Sequence, residues 1–222
     1  MLHLCVTDIH DLTYNELRRV LPETERARLD SKKSEDYRVS SAAGRLVAST
    51  LYRHVFKKDA PPIVLSKQGA PSFFGEDIGL SISHSGRMVA AILSDCRMCV
   101  GIDIEECRAA DESREKRREK IRERLRLPTV REYSELPPLY RASLSSGGAT
   151  LLLSQAIACT PTSPSAFLLD YTALEAVMKG EGKGFSALRD FQSIYPLYHL
   201  YCGTVLDDKN TAYILTIATK CK

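Results

Sequence analysis

The chain has 222 residues, enough to bury a full core as one large domain or two small ones. A hydrophobic share of 44% beside 27% charged residues is that of a soluble globule, and a net charge of +3 excludes the global basic field of a typical nucleic-acid binder. Seven cysteines at irregular spacing exclude a complete disulfide framework. Met1-Leu2-His3-Leu4-Cys5 lacks the basic region and apolar core of a signal peptide, and no apolar run reaches membrane-spanning length. A cytoplasmic, reduced, monomeric protein with no membrane or nucleic-acid partner is expected.

Residues 2–9 alternate as a strand does. Thr13-x-x-Glu16 is a capping box before a short helix. Ser34 can cap a second helix, with Glu35 and Asp36 in its first turn. Apolar residues recur at helical spacing from Val39 to Val55, and that helix should end near Lys57, before Pro61-Pro62. Ile63-Val64-Leu65 reads as a short strand, followed by a Gly-Ala-Pro turn at 69–71. Leu80 to Leu93 reads as strand, polar turn, strand, with Ser83, His84 and Ser85 in the turn and Gly86 giving it freedom to bend. Hydroxyls, an imidazole and backbone N–H groups there suit an anion, phosphate above all.

Met98 to Glu105 continues as a buried strand. Side chains alternate along it, so Asp103 and Glu105 leave one face while Val100, Ile102 and Ile104 leave the other. Two neighbouring carboxylates repel each other, and they are either solvated at a strand end or held around a hard divalent cation. Arg108 to Arg126 carries nine basic and five acidic residues and reads as a solvated, ion-paired helix or a docking face for an acidic partner. It lacks the interleaved aromatics of a nucleic-acid module. Residues 141–166, rich in Ser, Thr, Ala and Pro, read as an irregular excursion. Asp170 to Lys179 reads as a helix with Glu175 and Lys179 on one face. Val6 to His10 is echoed by Val100 to Glu105, and Met88 to Leu93 by Thr211 to Ile217. The repeat predicts an α+β fold of two similar α/β halves, 1–98 and 99–222.

Ser81-Ile-Ser-His-Ser-Gly86, Val100 to Glu105, and Glu175-Ala-Val-Met-Lys179 with the following Gly-Glu-Gly-Lys-Gly184 together resemble the 4′-phosphopantetheinyl transferases, in particular the long single-chain, surfactin-synthetase-activating type. The resemblance extends to Arg38–Phe56, Gly69–Phe73 and Arg131–Leu136. It implies two pseudo-symmetric halves with the active site between them. It also implies transfer of 4′-phosphopantetheine from coenzyme A to a serine of an acyl or peptidyl carrier protein, releasing 3′,5′-ADP.

By the same resemblance Asp103, Glu105 and Glu175 hold Mg²⁺ or Mn²⁺. Glu132 is the general base for the serine, and Lys179 balances charge on the departing phosphate. Ser83 and His84 contact phosphate, Arg45 holds the 3′-phosphate end with help from Lys32 or Lys33, and Lys183 belongs to the cofactor contacts. Three positions depart from the family pattern: Tyr171 stands where a tryptophan is usual, Leu174 where a lysine precedes the metal glutamate, and Ala70 where Gly-Lys-Pro is usual. Restoring lysine at 174 is expected to raise the transfer rate. The alternative function is a relative that binds coenzyme A or the carrier with little turnover.

Overall fold

Strand β1 (Leu2–Asp8) opens the chain and is followed by three helices: α1 (Tyr14–Arg18), α2 (Glu23–Asp30) and α3 (Glu35–Phe56). The computed structural model describes residues 1–95, 98–107, 133–145, 148–154, 166–183 and 190–221, with single positions between 116 and 123. The start of α1 is set by the capping box: Thr13 Oγ1 accepts the Glu16 N–H and the Glu16 carboxylate accepts the Thr13 N–H. Ser34 accepts the Tyr37 N–H at the start of α3, and Lys57 ends that helix in the left-handed region at φ 55°. Beyond it run β2 (Ile63–Leu65), β3 (Pro71–Phe73), β4 (Leu80–Ser85), β5 (Met88–Ser94) and β6 (Met98–Glu106). The second half adds β7 (Leu139–Ser145), β8 (Gly148–Ser154), α4 (Ala166–Glu181), α5 (Phe191–Ile194), β9 (His199–Leu206) and β10 (Ala212–Cys221).

The architecture is α+β, with a five-stranded sheet β4-β5-β1-β7-β8, a three-stranded sheet β6-β10-β9 and the β2-β3 ribbon. In both larger sheets a hairpin's outer strand, its inner strand and an earlier strand stand in the same order, β4-β5-β1 and β9-β10-β6. The two echoed pairs of the sequence are thus antiparallel neighbours in space, β1 with β5 and β6 with β10. No helix among the described residues is long and apolar enough to cross a membrane.

Packing is layered. Helix α3 covers the outer face of the first sheet through Leu46, Val47 and Leu51 against Val89, Ala91 and Leu93. The inner faces of the two sheets meet through Val6, Ala90 and Ile92 on one side and Ile102, Ile104 and Leu215 on the other. Helix α4 covers the far face of the second sheet through Ala173, Leu174 and Val177 against Leu200 and Ala218. Strand β5 lies inside its sheet with both faces covered, so every residue from Met88 to Ser94 is buried.

Three expectations change. Residues 141–154 are not an irregular excursion: 139–145 and 148–154 form a hairpin, and β7 pairs in parallel with β1. Small Ser and Ala residues hide the alternation, but Ala142 and Leu144 enter the core while Ser143 and Ser145 stay exposed. A strand from the second half therefore completes the sheet of the first. Ser83 to Ser85 are not a turn but the end of strand β4, and the turn is Gly86-Arg87, with Gly86 at φ 53°. Leu174 does not face a cleft; it is 3% exposed, inside the cluster between α4 and the second sheet.

Candidate active site

The alternation of β6 divides its side chains. Val100, Ile102 and Ile104 enter the core between the sheets, and Asp103 leaves the opposite face, beneath α4. Gly101 is what lets the helix come so close. A Cβ built there would lie 1.8 Å from the Ala176 carbonyl oxygen and 2.5 Å from the Gly180 nitrogen. The close approach brings the Glu175 and Lys179 face of α4 onto the acidic strand. Lys179 Nζ donates to Asp103 Oδ1 at 2.6 Å and to Ser83 Oγ at 2.8 Å.

Asp103 is only 4% exposed. Its Oδ1 also accepts from Ser83 Oγ at 2.9 Å, whereas its Oδ2 is buried with no hydrogen-bond partner. Burial pushes the Asp103 carboxyl above the usual carboxylate range, against the opposing pull of Lys179 and Ser83. Glu175 is also raised, first by burial and then by the negative charge of Asp103, while Lys179 and the Tyr171 hydroxyl work the other way. Tyr171 OH donates to Glu175 Oε1 at 3.2 Å, and burial with the nearby carboxylates lifts its own pKa. Glu105 accepts from Ser85 Oγ at 3.0 Å.

A cavity of about 250 Å³ opens beside this cluster. Gly69, Ala70 and Pro71 form one wall, Ile82 another, and Glu175, Met178, Lys179 and Gly182 the third. The wall at Ala70 carries no charge, and among the described lining residues the cation is Lys179 of α4.

The other expected residues are distributed as follows. Ser83 lies with Asp103 and Lys179. His84 points to the opposite face of β4, exposed, yet close enough to the cluster that packing and the Lys179 ammonium lower its pKa below 6.5. Arg45 on α3 is buried and ion-paired with Glu25 of α2, which also receives Arg28 Nε at 3.1 Å. Burial lowers the Arg45 pKa in spite of Glu25. Lys32 is exposed just past α2. Lys183 is exposed just past α4, 3.8 Å from Glu181. Glu132 lies outside the described residues, as do Cys96 and most of the charged segment 108–126.

Among the described residues no three His, Cys, Asp or Glu side chains converge as a ready metal cluster. The donor chemistry nevertheless fits a hard divalent cation: carboxylate oxygens, one of them buried without a partner, on two elements whose charges oppose each other. One participant, Ser81, was not singled out in the sequence, and Ser85 was read only as part of an anion-suited turn. Both extend the contact that Ser83 makes with β6. The signal was present as Ser-x-Ser-x-Ser, the period of a strand, but reading the segment as a turn hid it. No protein-family model matches the chain, and no curated protein matches it.

Proposed function

We propose that the protein is a 4′-phosphopantetheinyl transferase that modifies a serine of an acyl or peptidyl carrier protein. The observation that carries the reading is the meeting of three separated sequence motifs at one place. Ser83 from the first, Asp103 from the second and Lys179 from the third are joined by bonds of 2.6 to 2.9 Å beside one cavity. The matching strand orders of the two sheets support the pseudo-symmetric halves that the resemblance implies.

Asp103, Glu105 and Glu175 would hold Mg²⁺ or Mn²⁺, which when bound supplies positive charge to the pyrophosphate of coenzyme A. The chain's own residues do the rest. Lys179 meets negative charge on the departing phosphate. His84, whose pKa is lowered first by burial and then by Lys179, would offer phosphate a hydrogen bond. Tyr171 fixes one oxygen of Glu175. The carrier's serine oxygen forms a bond to the phosphorus that bears the pantetheine, the bond from that phosphorus to 3′,5′-ADP breaks, and the serine proton passes to a base. Glu132 is the residue proposed for that proton. Positioning and charge neutralisation dominate such a reaction.

The test is incubation with coenzyme A, Mg²⁺ and an apo carrier protein, followed by intact-mass measurement of the carrier. Gain of a phosphopantetheine group that disappears with chelator is the expected result. Hydrolysis of coenzyme A without carrier modification would instead indicate a phosphohydrolase. Ala70 and the buried Leu174 favour one second reading, a relative that binds coenzyme A without turnover. Calorimetric binding with an unmodified carrier would establish it.

A further inference from the structure

Strand β6 is an edge strand of its sheet, so the outward N–H groups of alternate residues need acceptors other than a neighbouring strand. Serine side chains of β4 supply them. Ser81 Oγ accepts the Ile102 N–H at 3.1 Å, Ser83 Oγ the Ile104 N–H at 3.4 Å, and Ser85 Oγ the Glu106 N–H at 3.3 Å. The two sheets are joined along this seam by hydroxyls instead of a backbone ladder. A hydroxyl that accepts still has a proton to give. Ser83 gives it to Asp103 Oδ1 at 2.9 Å and Ser85 to Glu105 Oε2 at 3.0 Å. Each serine thus grips the β6 backbone and the carboxylate one residue before that grip. Ser81 occupies the same place in the repeat, but the matching position on β6 is Gly101, which has no side chain.

We infer that Ser83 and Ser85 are positioning residues that aim the donor oxygens of Asp103 and Glu105 at the metal, and that Ser81 is the same joint without that duty. This rests on the proposed transferase reading and its metal carboxylates. A hydroxyl bonded to one carboxylate oxygen fixes the orientation of the group and leaves the other oxygen to face a ligand. At Asp103 that other oxygen is the buried Oδ2 with no partner.

The repeat contains its own control. Ser81→Ala, Ser83→Ala and Ser85→Ala each delete one acceptor for a β6 N–H, so each should lower Tm, Ser83→Ala and Ser85→Ala by more because they also lose a bond to a carboxylate. Mn²⁺ alone, titrated into the full chain without coenzyme A and followed by electron paramagnetic resonance, separates them. Ser83→Ala and Ser85→Ala should weaken Mn²⁺ binding about tenfold or more. Ser81→Ala should leave it within about twofold of the parent on the same argument. Ser85→Thr keeps the hydroxyl and should restore the affinity lost in Ser85→Ala. Equal weakening by all three alanines, unchanged Mn²⁺ binding in Ser83→Ala and Ser85→Ala, or failure of Ser85→Thr to restore it would each overturn the positioning role and leave the transferase reading intact. A parent protein that binds no Mn²⁺ would overturn both together.

Discussion

Asp8 and Asp103 lie on the corresponding strands of the two sheets, β1 and β6, and the side chain of each is 6% exposed. Their surroundings differ sharply. Asp8 receives Arg87 Nη2 on both oxygens, at 3.0 and 3.3 Å, and backbone N–H groups from His10 at 2.8 Å and Asp208 at 3.2 Å. Asp103 has Lys179 and Ser83 on one oxygen and nothing on the other. A saturated buried carboxylate stabilises a fold, whereas an unsaturated one beside a second carboxylate costs stability and is tolerated where a ligand completes it. The first half uses its buried acid for architecture, and on the transferase reading the second leaves its acid for a ligand.

Neutralising the two aspartates should have opposite consequences. Asp103→Asn is expected to lower carrier modification by about a thousandfold, the several kcal/mol that a metal ligand contributes to such a reaction, with Tm unchanged or slightly raised. Asp8→Asn should leave turnover intact and cost about 2 kcal/mol of stability by weakening its charge-assisted bonds to Arg87. A comparable loss of activity in both variants would dissolve the contrast.

Leu174→Lys asks whether an added cation can reach the unsaturated end. Because Leu174 is buried in the cluster under α4, the lysine should cost about 3 kcal/mol or more and give no faster transfer. A faster enzyme with an unchanged melt would mean that α4 presents a different face from the one described. Gly101→Ala should cost roughly 2–3 kcal/mol by overpacking against the Ala176 carbonyl, and it should weaken Mn²⁺ binding as α4 lifts off β6. Loss of stability without loss of metal affinity would show that the helix need not press so closely on the strand.

The smallest effect is a pH dependence. Asp103 and Glu175 have raised pKa values, so over an interval above the ordinary carboxylate value of about 4 the native chain holds protons that the unfolded chain has released. Their contribution to stability is therefore full below that interval and is lost as pH rises through the native pKa values. On the transferase reading Mn²⁺ affinity should climb over the same range, since ionised carboxylates are the form that would bind a metal. Asp103→Asn should flatten the fall in Tm, because it removes one raised group and the negative charge that helps to raise the other. Thermal melts between pH 4 and neutrality, compared between the parent and Asp103→Asn, decide it.

Much of this was legible in the amino-acid order because it depends on near neighbours. The capping box at Thr13 and Glu16, the Ser34 cap, the long apolar stripe of α3 and the opposed faces of β6 all follow from spacing of three, four or two residues. The pairing of Glu175 with Lys179 on one helical face is local in the same sense. Three decisions were not local. The Ser-rich hairpin β7-β8 forms because β1 offers it a partner edge, and its own sequence shows little alternation. Leu174 turns inward because Gly101 fixes where α4 rests, 73 positions away in the chain. The serines of β4 become the acceptors for β6 only because the two sheets meet at that seam. Periodicity fixes which side chains share a face, but the partner of that face is set by packing between distant segments, and on that packing the candidate site depends.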